Sequence, residues 1–275
     1  MIKTWIDENK LCYEFLSKNP KAIYLLKSNP NKIDWSGLSL NNSSYAIELL
    51  ENNHEKINWN YLSYNDGAIK ILENNWDKIN WNNLHFNLKG ISILKKNKNK
   101  INWNLLSLNT SDEAIEFLNE NKTEINWTKL SYNKNAIKIL KENTHKIDWM
   151  TLSENENAIE LLEENIDKID WISLNINKNG IKILKNYTDK INWQLLSQYT
   201  NDINFLKNNY DKIDWKYLCK NLNAITILEE NPDKIHWKEL SLNLNAIDLF
   251  KNNTNEINWI WFSNSDCIFS DSHNN

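Results

Sequence analysis

Apolar positions along this chain recur in one compact phrase. In KIDWMTLSENENAIELLEEN (residues 146–165) the recurring apolar set is Ile147, Trp149, Leu152, Ala158, Ile159, Leu161 and Leu162, and polar residues fill the gaps. The same spacing returns in KINWNYLSYNDGAIKILENN (56–75) and KIHWKELSLNLNAIDLFKNN (234–253). Segments such as AIELL (158–162), AIKIL (136–140) and GIKIL (180–184) are apolar at their first, second, fourth and fifth positions. At about 100° per residue this covers an arc of about 160°, which suits a helix held between neighbours. Asn lies three residues before the Ala (Asn19, Asn65, Asn87, Asn133, Asn155, Asn221, Asn243), and Pro20 follows Asn19. That order predicts an N-cap followed by the first helical position, because the amide oxygen serves an orphan N–H and Pro has none to lose. A second Asn column, from Asn29 and Asn53 to Asn231 and Asn253, has Pro30 and Pro232 directly after it. It predicts a helix end in the left-handed conformation and a main helix of about nine or ten residues. In the intervening IDWxxLS or INWxxLS, the Asp or Asn before Trp predicts a capped short helical turn with Trp and Leu on its inner side.

Counting from the Trp, the phrase recurs at Trp35, Trp59, Trp81, Trp103, Trp127, Trp149, Trp171, Trp193, Trp215, Trp237 and Trp259, in steps of 22 residues except for two of 24. Tyr13 holds the same place 22 residues before Trp35. A period of this size marks a repeat array, in which neighbours share a core that neither could bury alone. The expected fold is all-α, an α-solenoid of about twelve 22-residue repeats, each a short Trp-bearing helical turn plus a longer helix. Residues 1–12 are read as an N-terminal lead-in, 13–263 as a single solenoid, and 264–275 as a degenerate C-terminal cap and tail. The period also suits a leucine-rich horseshoe or a β-solenoid. Only 4 Gly, no Val and the paired Asn and Pro caps favour helices.

In length and alternation the unit resembles the leucine-rich variant repeat, which implies an α-helix alternating with a 3₁₀ helix in a right-handed superhelix. The wording itself, KIDWxxLSxNxNAIxLLxxN, resembles a tandem repeat of proteins from giant, AT-rich nucleocytoplasmic DNA viruses of protists. Rich use of Ile, Asn, Lys and Tyr fits an AT-rich genome. The resemblance implies a viral origin and a place in the host cytoplasm, a viral factory or the virion. It adds no mechanism. Gly90 and Gly180 stand where other repeats have Ala, Asp202 breaks that column, and the last phrase degenerates to SNSDCIFS.

Charge and chemistry narrow the function further. The formal net charge is −4 and all 32 basic residues are Lys. Without the planar fork of Arg, a dedicated guanine reader or phosphate clamp is disfavoured, leaving only weak nucleic-acid contact through a Lys-rich edge. Cys12, Cys219 and Cys267 lie far apart with no CxxC pairing, and no apolar run has the length of a membrane span. The five His occupy different columns, and no P-loop, GxGxxG, HExxH or GxSxG occurs. The chain is therefore read as no enzyme, with no catalytic, cofactor-binding or metal-ligating residue. The Trp column suggests a stacking platform for bases or sugars, but Ile two residues before and Leu three after favour packing. The Lys column (Lys32, Lys56, Lys78, Lys100, Lys146 and onward) suggests a polyanion stripe, yet Asp77, Asp167, Asp189, Asp211 and Asp233 each precede a member, as on a solvated mixed-charge edge.

Function in an array is expected where repeats differ at exposed positions. Five residues after the Trp column the chain reads Leu40, Tyr64, Phe86, Leu108, Tyr132, then Glu154, Ile176, Gln198, Lys220, Leu242. A core column would not accept Glu, Gln and Lys, so this one is read as partly exposed, with its first five members a contact stripe for a helix or extended segment. Packing of the same side chains over the adjoining repeat is the plainer alternative. Trp76, in a loop column that also carries His54, Ile166 and Tyr210 and in other repeats Lys, Thr or Pro, is a further candidate contact, or a locally buried ring. Extra residues at 42–44 and 110–113 lengthen two turns, with Thr110 and Glu113 spaced as a capping box. The expected function is a noncatalytic protein-interaction scaffold with a viral or host partner. The alternatives are a self-assembling component of a particle or factory, and a translation- or RNA-associated scaffold holding a helicase-type factor.

Overall fold

The computed structural model describes residues 4, 6–251 and 253–263, and these form α-helices, 3₁₀ turns and connecting turns with no strand among them. The fold is an all-α repeat. By contact it divides into two compact units, Met1–Ile101 with Leu244–Asn275, and Asn102–Asn243.

One repeat of the second unit shows how the phrase becomes structure. The Asn126 side chain accepts the Lys129 N–H at 2.9 Å and so starts the helix Trp127–Tyr132. Asn133 then turns the chain, its Oδ1 accepting the Asn135 N–H at 3.1 Å, and the helix Ile137–Glu142 follows. A 3₁₀ turn, Thr144–Lys146, and the extended Ile147 lead to the next cap, Asp148, which accepts the Thr151 N–H at 3.0 Å. The predicted caps before Trp are thus formed, and Asn19 likewise accepts the Lys21 N–H at 2.9 Å in front of a 3₁₀ turn led by Pro20. Glu8–Lys10 already forms the 3₁₀ turn that precedes the short helix in later repeats. The predicted tail, 264–275, lies outside the described residues.

Three expectations are corrected. The main helix is four to six residues in most repeats, because the Asn turn takes up the segment before Ala; only Ser44–Glu51 and Asp112–Glu120 reach eight and nine. Those two begin within the extra residues, and their caps are Ser43 and Ser111, whose hydroxyls accept the N–H groups of Ala46 and Ala114. The cap of the second is therefore Ser111 and not Thr110. The second Asn column is also not left-handed: no described non-Gly residue has positive φ, and Asn143 sits at φ −135°, ψ 46°. Its side-chain amide instead donates to Ile139 O at 2.8 Å, a bond repeated from Asn29 to Leu25 O and from Asn231 to Ile227 O. Capping its own helix in this way leaves the backbone free to run straight into the 3₁₀ turn, where Pro30 and Pro232 fit the first position.

The core is narrower than the Trp ladder suggested. Leu38, Leu62 and Leu84 in the first unit, and Leu106, Leu130, Leu152, Leu174, Leu196 and Leu218 in the second, are 0% exposed. The Trp rings three residues earlier stay partly exposed. Between repeats, one buried hydroxyl and one buried amide make the joints. Ser131 Oγ donates to Trp127 O at 2.8 Å and accepts the Asp148 N–H of the next repeat at 3.1 Å. Asn133 Nδ2 donates backwards to Ser107 O and Asn109 O of the previous repeat, at 3.1 and 2.8 Å. In the first unit Asn65 does the same to Ser39 O and Asn41 O. At Gly180 the chain passes so near Leu174 O that an added Cβ would run into it, which accounts for the departure from Ala there.

His85 occupies the Ser column in the first unit. It is 1% exposed, and its Nδ1 lies 2.6 Å from Trp81 O, the arrangement of a donated N–H. Burial holds its pKa below the ordinary 6.5. As pH falls below 6.5 the unfolded chain takes the proton first, so stability is present above that pH and is lost on acidification. His85→Ser is expected to lose less stability than wild type between pH 7 and pH 5 in urea unfolding; equal losses would mean that His85 does not set this slope.

Candidate protein-interaction surface

The stripe residues lie two places beyond the buried Leu, about 200° further round a helix and so turned from the core. In the first unit Tyr64 ends the helix Trp59–Tyr64 and is 49% exposed, while Leu40 and Phe86 are partly exposed. The Tyr64 and Phe86 rings stack with centroids 5.8 Å apart and 23° between planes. Two successive repeats therefore present one continuous aromatic surface, and Leu88, 44% exposed, is in the same unit. In the second unit Tyr132 is 55% exposed at the end of its helix and Leu108 is partly exposed. The polar members Glu154, Gln198 and Lys220 are partly exposed as well.

Trp76 leads a 3₁₀ turn, keeps 39% of its surface exposed and leans on Trp81 at 6.4 Å between centroids. His54 against Trp59 at 6.3 Å and Tyr210 against Trp215 at 5.1 Å repeat the arrangement. A ring in this loop column thus shelters the Trp five residues after it.

The Lys column is engaged from repeat to repeat. Lys56 Nζ stands 4.4 Å over Trp35, and Lys146, Lys168 and Lys212 stand 4.8, 4.7 and 5.1 Å over Trp127, Trp149 and Trp193. Each such contact is worth about 0.5–1 kcal/mol at an exposed site and covers an indole face, which counts against the stacking platform. Asp77, Asp189 and Asp233 pair with Lys78, Lys190 and Lys234 at 3.4, 3.0 and 3.3 Å. The edge is mixed in charge, as its sequence implied.

Sequence reading missed Met150 and Ile172, 63% and 72% exposed in consecutive repeats of the second unit. The signal was present: directly after the Trp, other repeats have Ser36, Asn60, Asn82, Asn104 and Thr128. Elsewhere the surface offers shallow ground. An open trough of about 720 Å³ in the first unit is lined by Ile47, Glu48, Glu51, Asp66, Ile69 and Glu73 among others. Among titratable groups, Lys185 at 2.6 Å holds the Asp202 carboxyl below its usual range, and burial pushes the Cys219 thiol up, away from the reactive thiolate. No described group of three His, Cys, Asp or Glu could hold a metal ion, and no described helix is long and apolar enough to cross a membrane.

Comparison with protein-family models, curated proteins and solved structures gives no match to this chain.

Proposed function

We propose that this chain is a noncatalytic scaffold that holds a viral or host protein, with the stacked Tyr64 and Phe86 at the centre of one contact surface. The observation that carries the reading is this stacked aromatic pair, Tyr64 exposed and Phe86 partly exposed. The repeated Leu, Ser, Asn, Trp and Lys columns are committed to joints between repeats, so recognition falls to the positions at which repeats differ. Aromatic side chains that already stack on each other lose little freedom on binding and are typical anchors of protein interfaces. Leu40 extends this surface in the first unit; Leu108 and Tyr132 offer a similar one in the second. The viral and cytoplasmic or factory setting rests on the resemblance of the repeat.

Quantitative affinity purification from native or infected-cell lysate would compare wild type with Tyr64→Ser/Phe86→Ser, and separately with Tyr132→Ser, each of unchanged helical content. Loss of two anchors at about 2 kcal/mol each would weaken partner recovery by more than about tenfold. Partner lists that survive both variants unchanged would end the proposal for this surface.

A further inference from the structure

We infer that the last repeat of the chain is the docking partner of the first, through the same joint that links each repeat to the next. Within the first compact unit the backbone N–H of Cys12, the residue before the Tyr13 column, donates to Ser263 Oγ at 2.9 Å. Ser263 Oγ in turn donates to Trp259 O at 2.6 Å. This is the bond pattern of Asp34 N to Ser17 Oγ at 3.0 Å, and of Asn58 N to Ser39 Oγ with Ser39 Oγ to Trp35 O, at 3.0 and 2.8 Å. The two residues are 251 apart in sequence where neighbours are 17 to 19 apart.

A second contact of the same kind accompanies it. Lys10, three residues before Tyr13, holds its Nζ 5.1 Å over the Trp259 ring, as Lys32 stands 4.9 Å over Tyr13 and Lys56 4.4 Å over Trp35. Asn19 gives the third sign. In later repeats this amide faces the preceding repeat, and on a bare first repeat it would face water. It is 4% exposed, and its Nδ2 is buried without a hydrogen-bond partner. The joint therefore covers the first repeat's outer face and makes two of the three signature contacts. Because each terminal face is occupied by the other, stacking a second copy end to end requires that this joint first open, which sets the condition for any self-assembly.

The chain itself provides a test by thiol chemistry. Cys219 naturally fills the Ser column, accepting the His236 N–H at 3.3 Å, so Ser263→Cys is a change the repeat already tolerates. In a Cys267→Ser background, mild oxidation of full-length Ser263→Cys at high dilution is expected to join Cys12 to the new thiol within one monomer, since the joint brings these positions within disulfide reach. Peptide mapping would identify the bond. Ser63→Cys, two repeats on from the repeat of Tyr13, is the control. Linked dimers at high dilution, or a yield no greater than the control, would overturn the inference. On the unmodified chain, a lysine-reactive crosslinker should join Lys10 to Lys251 in the monomer fraction; failure of that link would count against the joint independently of any substitution.

Discussion

Asn133→Asp, a change of one atom type, is expected to destabilise the second unit by about 3–5 kcal/mol at pH 7. Asn133 is 2% exposed, and its amide donates to Ser107 O and Asn109 O while its oxygen accepts the Asn135 N–H. A carboxylate keeps the last bond but sets negative oxygen against two carbonyl oxygens that then have no donor. Such a group is held protonated to higher pH than in the unfolded chain, where an Asp titrates near 3.9. Its folded pKa is raised, so the deficit relative to wild type is small below about pH 4 and grows as pH rises past the unfolded value. Asn133→Leu loses the same donors without adding charge and should cost about 2–3 kcal/mol with no such pH dependence. Urea unfolding of the three proteins at pH 4 and pH 7 decides the matter. If the Asp and Leu variants track each other across pH, the amide does not bridge the repeats as described.

The second large effect separates the two loudest columns of the sequence. Leu130→Ala is expected to cost about 3–5 kcal/mol, because a 0% exposed side chain leaves both lost burial and a cavity. Trp127→Ala, despite removing a larger side chain, should cost only about 2 kcal/mol, since its ring is partly exposed and roofed by Lys146 at 4.8 Å. Denaturation followed by circular dichroism with unchanged m-values would give the order directly. A Trp127 variant weaker than the Leu130 variant would return the Trp ladder to the core.

Much of the local structure could be read from the chain. The period, the helical arcs and the caps before Trp are properties of neighbouring residues, and Asp148 and Asn126 cap as their types predict. The exposure of the stripe column was legible too, because Glu154, Gln198 and Lys220 in a column mean that the column meets water. The helix end was misread for an instructive reason. Asn is compatible both with left-handed backbone and with a side-chain bond four residues back, and composition cannot choose between them. The 3₁₀ turn that must follow at once selects the second, as at Asn143.

By itself, then, the sequence determined the repeat, its helical class and its turns, since these follow from residue type and spacing over a few positions. Only the tertiary structure decided what the invariant columns are for. Ser131 and Asn133 find their partners in adjoining repeats, Lys146 finds the Trp of the repeat before it, and Cys12 finds Ser263 at the other end of the chain. A column records that its environment is the same in every repeat. The identity of the partner depends on how successive repeats stack, which is a property of distances in space and not of order along the chain.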